Sequence, residues 1–259
     1  MHRWLLLVCA VALSACAART PARPTAPGVP HPPALDLFTK ATARCAGLTT
    51  FTAALRLSGR AGHERLRGTL LTGLAAPASV RFEAVAPFGQ PVFILAGTGG
   101  RATLLLPRDN MVLTDAPVPD VLERLTGLRL GPVDLRLLLT GCLALPASPR
   151  TGLLYARDWQ SVVVGAGTVA YLRTIDGRPR IVAADSGEWR VDYAQYQNDW
   201  PRQVRLRTVA GDVDITAVLE DIAINTEIDP RAFEVTVPAG AEPITLNHLR
   251  SVVPLRAPS

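Results

Sequence analysis

The chain has almost no lysine. Of its 27 lysines and arginines, only Lys40 is a lysine. It has four histidines, and aromatic residues make up 5% of it. These scarcities narrow the function. A nucleic-acid surface needs a basic stripe with aromatic residues between the charges, and here the arginines are spread along the whole chain. The net charge of +5 therefore reads as compositional bias with a mild attraction to anionic headgroups, and no nucleic-acid partner is expected. His2, His31, His63 and His248 lie far apart without a helix-spaced partner, so no metal motif arises. No Gly-x-Ser-x-Gly elbow occurs. Gly97-Thr98-Gly99-Gly100 lacks the Lys-Ser/Thr of a phosphate loop and reads as a hairpin turn. The expected protein is not an enzyme and needs no cofactor. Beyond the first residues, no apolar run is long enough to cross a bilayer.

Cysteine is also scarce, and its placement is informative. Met1, His2 and Arg3 precede an apolar run from Trp4 to Leu13, followed by Ser14, Ala15 and Cys16. A short positive start, an apolar stretch of about 7–15 residues and small residues at the cut form a secretory signal. A cysteine at the cut resembles the bacterial lipobox. That resemblance implies removal of residues 1–15, a diacylglycerol thioether on Cys16 and acylation of the new amino group. Several acyl chains on one residue anchor stably, where one chain binds only marginally. The alternative is an ordinary signal peptide with an incidental cysteine. The expected location is the outer membrane, lipid-anchored and facing the periplasm, with anchoring at the inner membrane as the alternative; Ala17 lacks the aspartate that retains lipoproteins at the inner membrane in enteric bacteria, a code that need not apply here. Residues 16–33 carry Pro21, Pro24, Pro27, Pro30, Pro32 and Pro33 and read as a stiff, extended tether. Residues 34–259 remain for one folded domain. Cys45 and Cys142 are an even pair in an oxidising compartment. They form either a disulfide or two small buried hydrophobes.

Apolar residues at helical spacing run from Leu35 to Ala46, and Gly47 ends them. The period then changes to two. Ala53, Leu55 and Leu57 share one face; Val80 and Phe82 alternate with Arg81 and Glu83. Trp189, Val191 and Tyr193 alternate with Arg190 and Asp192; Val204 and Leu206 with Arg205 and Arg207; Val213 and Ile215 with Asp214 and Thr216. Such alternation marks antiparallel strands with one wet and one apolar face. Two helices interrupt them, Pro119–Leu128 and Pro132–Thr140. So many strands should curl, and three short helices are too few to fill the concave side. The predicted fold is mainly β with a few α-helices: a curved antiparallel half-barrel with an apolar groove partly closed by the helices. A closed barrel is the alternative.

At this point several stretches resemble the LolA/LolB lipoprotein-localisation proteins, the membrane-anchored LolB-like branch most of all. They are Ala86-Pro87-Phe88-Gly89 with QPVFIL after it, RLTGLRLGPVDLRLLLTG, GEWRVDYAQY, PRQVRLRT and GDVDITAVLEDIAIN. The resemblance implies a half-barrel of about eleven strands with a helical lid, whose interior receives the acyl chains of lipoproteins or lipids. It further implies a role in lipoprotein reception and insertion at the outer membrane, with a periplasmic LolA-type carrier as partner. The chain is expected to be a monomer. Residues 226–259 look more like the C-terminal strand of the carrier branch. Phe88 sits in a turn and, by the resemblance, projects outward to place cargo into the membrane; otherwise it is a turn residue folding back on the core. The expected acyl-chain lining is Leu55, Leu57, Phe82, Leu95, Leu122, Leu125, Leu138, Trp189, Val191, Tyr193 and Leu206. Each alone is an ordinary core candidate, and only the set carries function. Asp199-Trp200-Pro201 either clamps a ligand or anchors a loop. A scaffold lipoprotein for envelope assembly, using the same fold without an open cavity, is the alternative function.

Overall fold

The computed structural model describes residues 22–85, 91–143, 150–165 and 167–249. Wherever apolar and polar residues alternate, strands form, and all of them join one curved sheet. In chain order they are β1 Val29–Pro30, β2 Thr50–Ala61, β3 Glu64–Ala75, β4 Ser79–Val85, β5 Phe93–Gly97, β6 Arg101–Leu106 and β7 Met111–Pro117. Then come β8 Gly152–Leu154, β9 Gln160–Val164, β10 Thr168–Ile175, β11 Arg178–Asp185, β12 Trp189–Gln197, β13 Trp200–Thr208, β14 Val213–Ile224 and β15 Glu242–Pro243. The helices are α1 Pro33–Thr42, α2 Val118–Thr126, α3 Pro132–Thr140 and α4 Leu246–Leu249.

The spatial order is β1-β8-β9-β10-β11-β12-β13-β14-β2-β3-β4-β5-β6-β7-β15. Two antiparallel meanders, β2–β7 and β8–β14, meet where β14 pairs with β2, Leu219 opposite Leu55 and Ala217 opposite Leu57. The sheet stays open. The expected half-barrel is there, with fifteen strands among the described residues instead of about eleven. The difference has local causes. β1, β8 and β15 are two or three residues long, too short for a period to show. In β3 the adjacent Leu70 and Leu71 break the alternation that would have marked it.

The helices lie on the inner face. α1 packs over β8 to β11 through Ala34, Phe38 and Ala41, all buried. α3 crosses β3 and β13, and α2 rests on β7 and α4. Gly127 and Gly141, in the left-handed conformation, end α2 and α3.

The N-terminal boundary of the domain differs from expectation. Val29–Pro30 pairs with Leu154–Leu153 and α1 starts at Pro33, so the domain begins before residue 34. After β14, a 3-10 turn at Pro230–Phe233 packs on β4 and β5. β15 then adds to β7 in parallel, with the Glu242 and Ile244 amides donating to the Asn110 and Val112 carbonyls at 2.8 Å. Leu249 of α4 is fully buried. The C-terminal segment thus covers an edge strand that would otherwise offer unpaired backbone groups.

Candidate functional site

Five leucines of α2 and α3 face the inner side of the sheet: Leu122 and Leu125 from the first helix, Leu135, Leu138 and Leu139 from the second. Both helices start with proline near the first turn. Asp134 adds a cap, its carboxylate accepting the Gly131 amide at 2.9 Å. The corner between the helices, residues 127–131, contributes Leu128 and Leu130. Its Arg129 pairs with Asp120 at 2.5 Å and Glu123 at 3.0 Å. Arg129 and Glu123 are exposed, and a pair at the surface contributes little.

Beneath this lid lies a cavity of about 110 Å³. From the sheet it is walled by Leu55 and Leu57 of β2, Leu66 and Leu70 of β3, Phe82, Phe93, Val204 and Leu206, and Ile215 and Ala217 of β14. Among the described residues, Thr126 supplies the one polar side chain, and its hydroxyl donates to the Leu122 carbonyl at 2.8 Å. Among the described residues, no ionisable group lines the wall. Such a space favours hydrocarbon over water, which needs two to four polar partners. It is open to solvent where Leu57, Leu128, Leu130, Leu135 and Leu138 are only half-buried. Small-molecule pockets run to about 300–1,000 Å³, and an apolar cavity of about 150 Å³ holds one benzene. A long acyl chain therefore enters only if the lid moves outward.

The lid is held at one end. Cys45 and Cys142 form a disulfide, 97 residues apart in sequence and 5.6 Å apart at Cα, tying the end of α1 to the end of α3. Beside it, Arg44 donates to the Ala41 carbonyl and, at 3.1 Å, to the Thr140 carbonyl. One cation thus meets the negative ends of two helix dipoles. Its guanidinium stacks on Trp200, 4.7 Å from the ring centre. Burial pulls the Arg44 pKa down. Tyr193 and Tyr196 close this end, burial pushing both hydroxyls up. Asp199 binds Arg178 at 2.8 Å and Arg180 at 3.2 Å. The Arg178 hydrogen bond is the main reason its carboxyl lies below the usual range. Asp199, Trp200 and Pro201 are absent from the cavity wall.

Of the residues singled out in the sequence, Leu55, Leu57, Phe82, Leu122, Leu125, Leu138 and Leu206 line the cavity. Leu95, Trp189, Val191 and Tyr193 do not. Leu95 is fully buried between Phe82 and Leu104 of the neighbouring strands. Val191 and Tyr193 are buried in β12, and Trp189 packs against the same core. These four face inward as alternation requires but lie outside the cavity wall, Tyr193 at the disulfide end of the lid. Leu66, Leu70, Phe93, Leu128, Leu130, Leu135, Leu139, Val204, Ile215 and Ala217 were not in the expected lining. Leu135, Leu139, Val204 and Ile215 carried the needed signal, since their helical or two-residue periodicity is plain. Cys16 and Phe88 lie outside the described residues. Among the described residues, no three His, Cys, Asp or Glu side chains come together as a metal site.

No family model matches the sequence, and no curated protein matches it. Solved structures do. A LolA superfamily protein from Nitrosomonas europaea has a TM-score of 0.50 at 12% identity, over 78% of this chain and 97% of that one. A DUF1329 family protein from Desulfovibrio piger gives 0.47 at 10% identity, over 78% and 96%. The Mycobacterium tuberculosis lipoprotein LppX gives 0.35 at 12%, over 76% and 98%. The chain has the LolA-superfamily fold.

Proposed function

We propose that this chain is a non-catalytic, lipid-anchored envelope protein that takes acyl chains into the cavity under the α2–α3 lid. In finer terms, it receives acylated proteins from a LolA-type carrier and takes part in their insertion at the outer membrane, from the periplasmic side. One observation carries the reading: eighteen residues wall the cavity without an ionisable group among them, on a fold shared with a LolA superfamily protein. The test is binding of a fluorescent fatty acid by the Cys16→Ser chain, with displacement by an acylated peptide. Saturable binding and displacement support the proposal. The small volume of about 110 Å³ favours a second reading, an envelope scaffold whose half-barrel stays closed. Absence of saturable binding selects that one.

Two predictions follow the anchor and the delivery loop. Cys16→Ser is expected to convert a membrane-bound protein into a soluble periplasmic one. Mass spectrometry of the mature wild-type chain checks it, and an unmodified Cys16 rules the anchor out.

Phe88→Glu is expected to change stability by less than about 0.5 kcal/mol, as at an exposed position. A core phenylalanine would cost about 3–5 kcal/mol on truncation to alanine. The same variant is expected to transfer acylated cargo into liposomes more slowly, because a charge opposes entry into the membrane interface. A large drop in melting temperature would place Phe88 in the core. Unchanged transfer in a stable variant would leave the loop no part in delivery.

A further inference from the structure

The proline-rich segment before α1 does not hang free. Arg23 reaches across the outer face of the sheet, bonding Asp185 of β11 at 2.9 Å, Asp192 of β12 at 2.8 Å and the Val191 carbonyl at 2.8 Å. Its guanidinium lies 5.9 Å from the Tyr171 ring of β10. The Arg23 side chain is 16% exposed and that of Asp192 8%, so this ion pair is largely out of water, where such pairs are less screened. Six residues on, Val29–Pro30 joins the sheet edge at β8. From β12 to β8 is four strand spacings, about 19 Å, close to the ~20 Å that six extended residues span. The segment therefore spans this distance with little slack, with a bend at Ala26. Gly28 fits this path because any side chain would collide: a Cβ there would lie 2.7 Å from Tyr155 Cε1 and 3.0 Å from Leu153 Cβ. Trp159, which stacks edge-on against Tyr171, is buried although it lies outside the inner core.

We propose that residues 22–30 are a docked strap that keeps the lid turned away from the membrane holding the anchor. The proposal rests on Cys16 being the anchored residue. Seven residues separate Cys16 from Arg23 and reach at most about 25 Å. To lay the lid on the same membrane, the chain would have to run from β11/β12 to the β8 edge, roughly 15–19 Å, and then past a helix layer about 10–12 Å thick. That sum, roughly 25–31 Å, is as long as the fully extended leash or longer. With the strap docked, the outer face of β8–β12 faces the anchoring membrane and the cavity opens toward the periplasm. Releasing Arg23 lengthens the leash to the thirteen residues from Cys16 to Val29, which stays paired at the β8 edge, roughly 43–47 Å, and the lid can turn to the bilayer.

The experiment uses the chain from Cys16 onward. Because Cys45 and Cys142 are bonded to each other, Cys16 is its one free thiol. It is coupled to a maleimide phospholipid in liposomes, which separates the strap from the question of natural lipidation. A bio-orthogonal dye replaces either Arg190, on the outer face beside Asp185, or Val133, on the exposed side of α3. A headgroup-linked quencher reports proximity to the bilayer. Quenching at 190 is expected to exceed that at 133 at least twofold, and Arg23→Ala is expected to bring the two to near equality. Equal quenching in the chain with Arg23 intact overturns the proposal. So does a difference that survives Arg23→Ala.

Discussion

Replacing Cys45 and Cys142 together with serine is expected to lower the melting temperature by roughly 5–15 °C. The bridge closes a loop spanning 97 residues of sequence separation, and a cross-link of that length restricts the unfolded chain strongly. Native disulfides of this kind stabilise by about 2–4 kcal/mol. In a domain of this size each kcal/mol moves the midpoint by about 2–4 °C. The loss has a second consequence. The disulfide and Arg44 are what hold the C-terminal end of α3 to the end of α1. With the bridge gone, α3 keeps one charge-assisted hydrogen bond there, and the lid opens more often. A fatty-acid probe should therefore bind faster to the double variant at a temperature where it is still folded. Differential scanning calorimetry and stopped-flow fluorescence check the two halves. A midpoint shift under about 2 °C would mean that packing of α3 on β3 and β13 alone holds the lid.

How much of this was legible in the sequence depends on the residue. In β2 the alternation of Ala53, Leu55 and Leu57 shows which face is apolar, and those two leucines reach the cavity. Val191 and Tyr193 obey the same rule in β12 and end elsewhere. Alternation tells which face of a strand is dry, but not what lies over that face. α1 covers the inner face from β8 to β11 and α3 crosses β3 and β13, and those placements come from contacts between segments far apart in sequence. β3 was hidden by Leu70-Leu71, yet Leu66 and Leu70 are cavity walls while Leu71 is 46% exposed on the other side. The strap shows the same limit. Six prolines in eighteen residues signal an extended chain; from residue 22 on, the chain lies against the sheet, bends at Ala26 and enters a helix at Pro33. Its docking depends on Arg23 meeting two aspartates more than 160 residues away. Composition carries no information about that meeting.

Leu138→Glu is expected to weaken fatty-acid binding at least a hundredfold while leaving the fold intact. Leu138 lies on α3, lines the cavity and is half-buried, at the point where the space opens to solvent. In the free protein a glutamate there can turn its carboxylate outward, so the stability cost should stay near the 0.5–3 kcal/mol of an ordinary substitution. Once an acyl chain fills the space, that route closes. The carboxylate must then be desolvated against hydrocarbon, with no cation among the described residues of the cavity wall to pair with it. A penalty of about 3 kcal/mol is a factor of more than a hundred in affinity. Leu71→Glu is the control: the same change on the outer face of β3, where Leu71 is already exposed, should leave binding within twofold. Titration of both variants with a fluorescent fatty acid, alongside their melting curves, decides the matter. If Leu138→Glu binds as tightly as the unaltered chain, the space under the lid is not where acyl chains go.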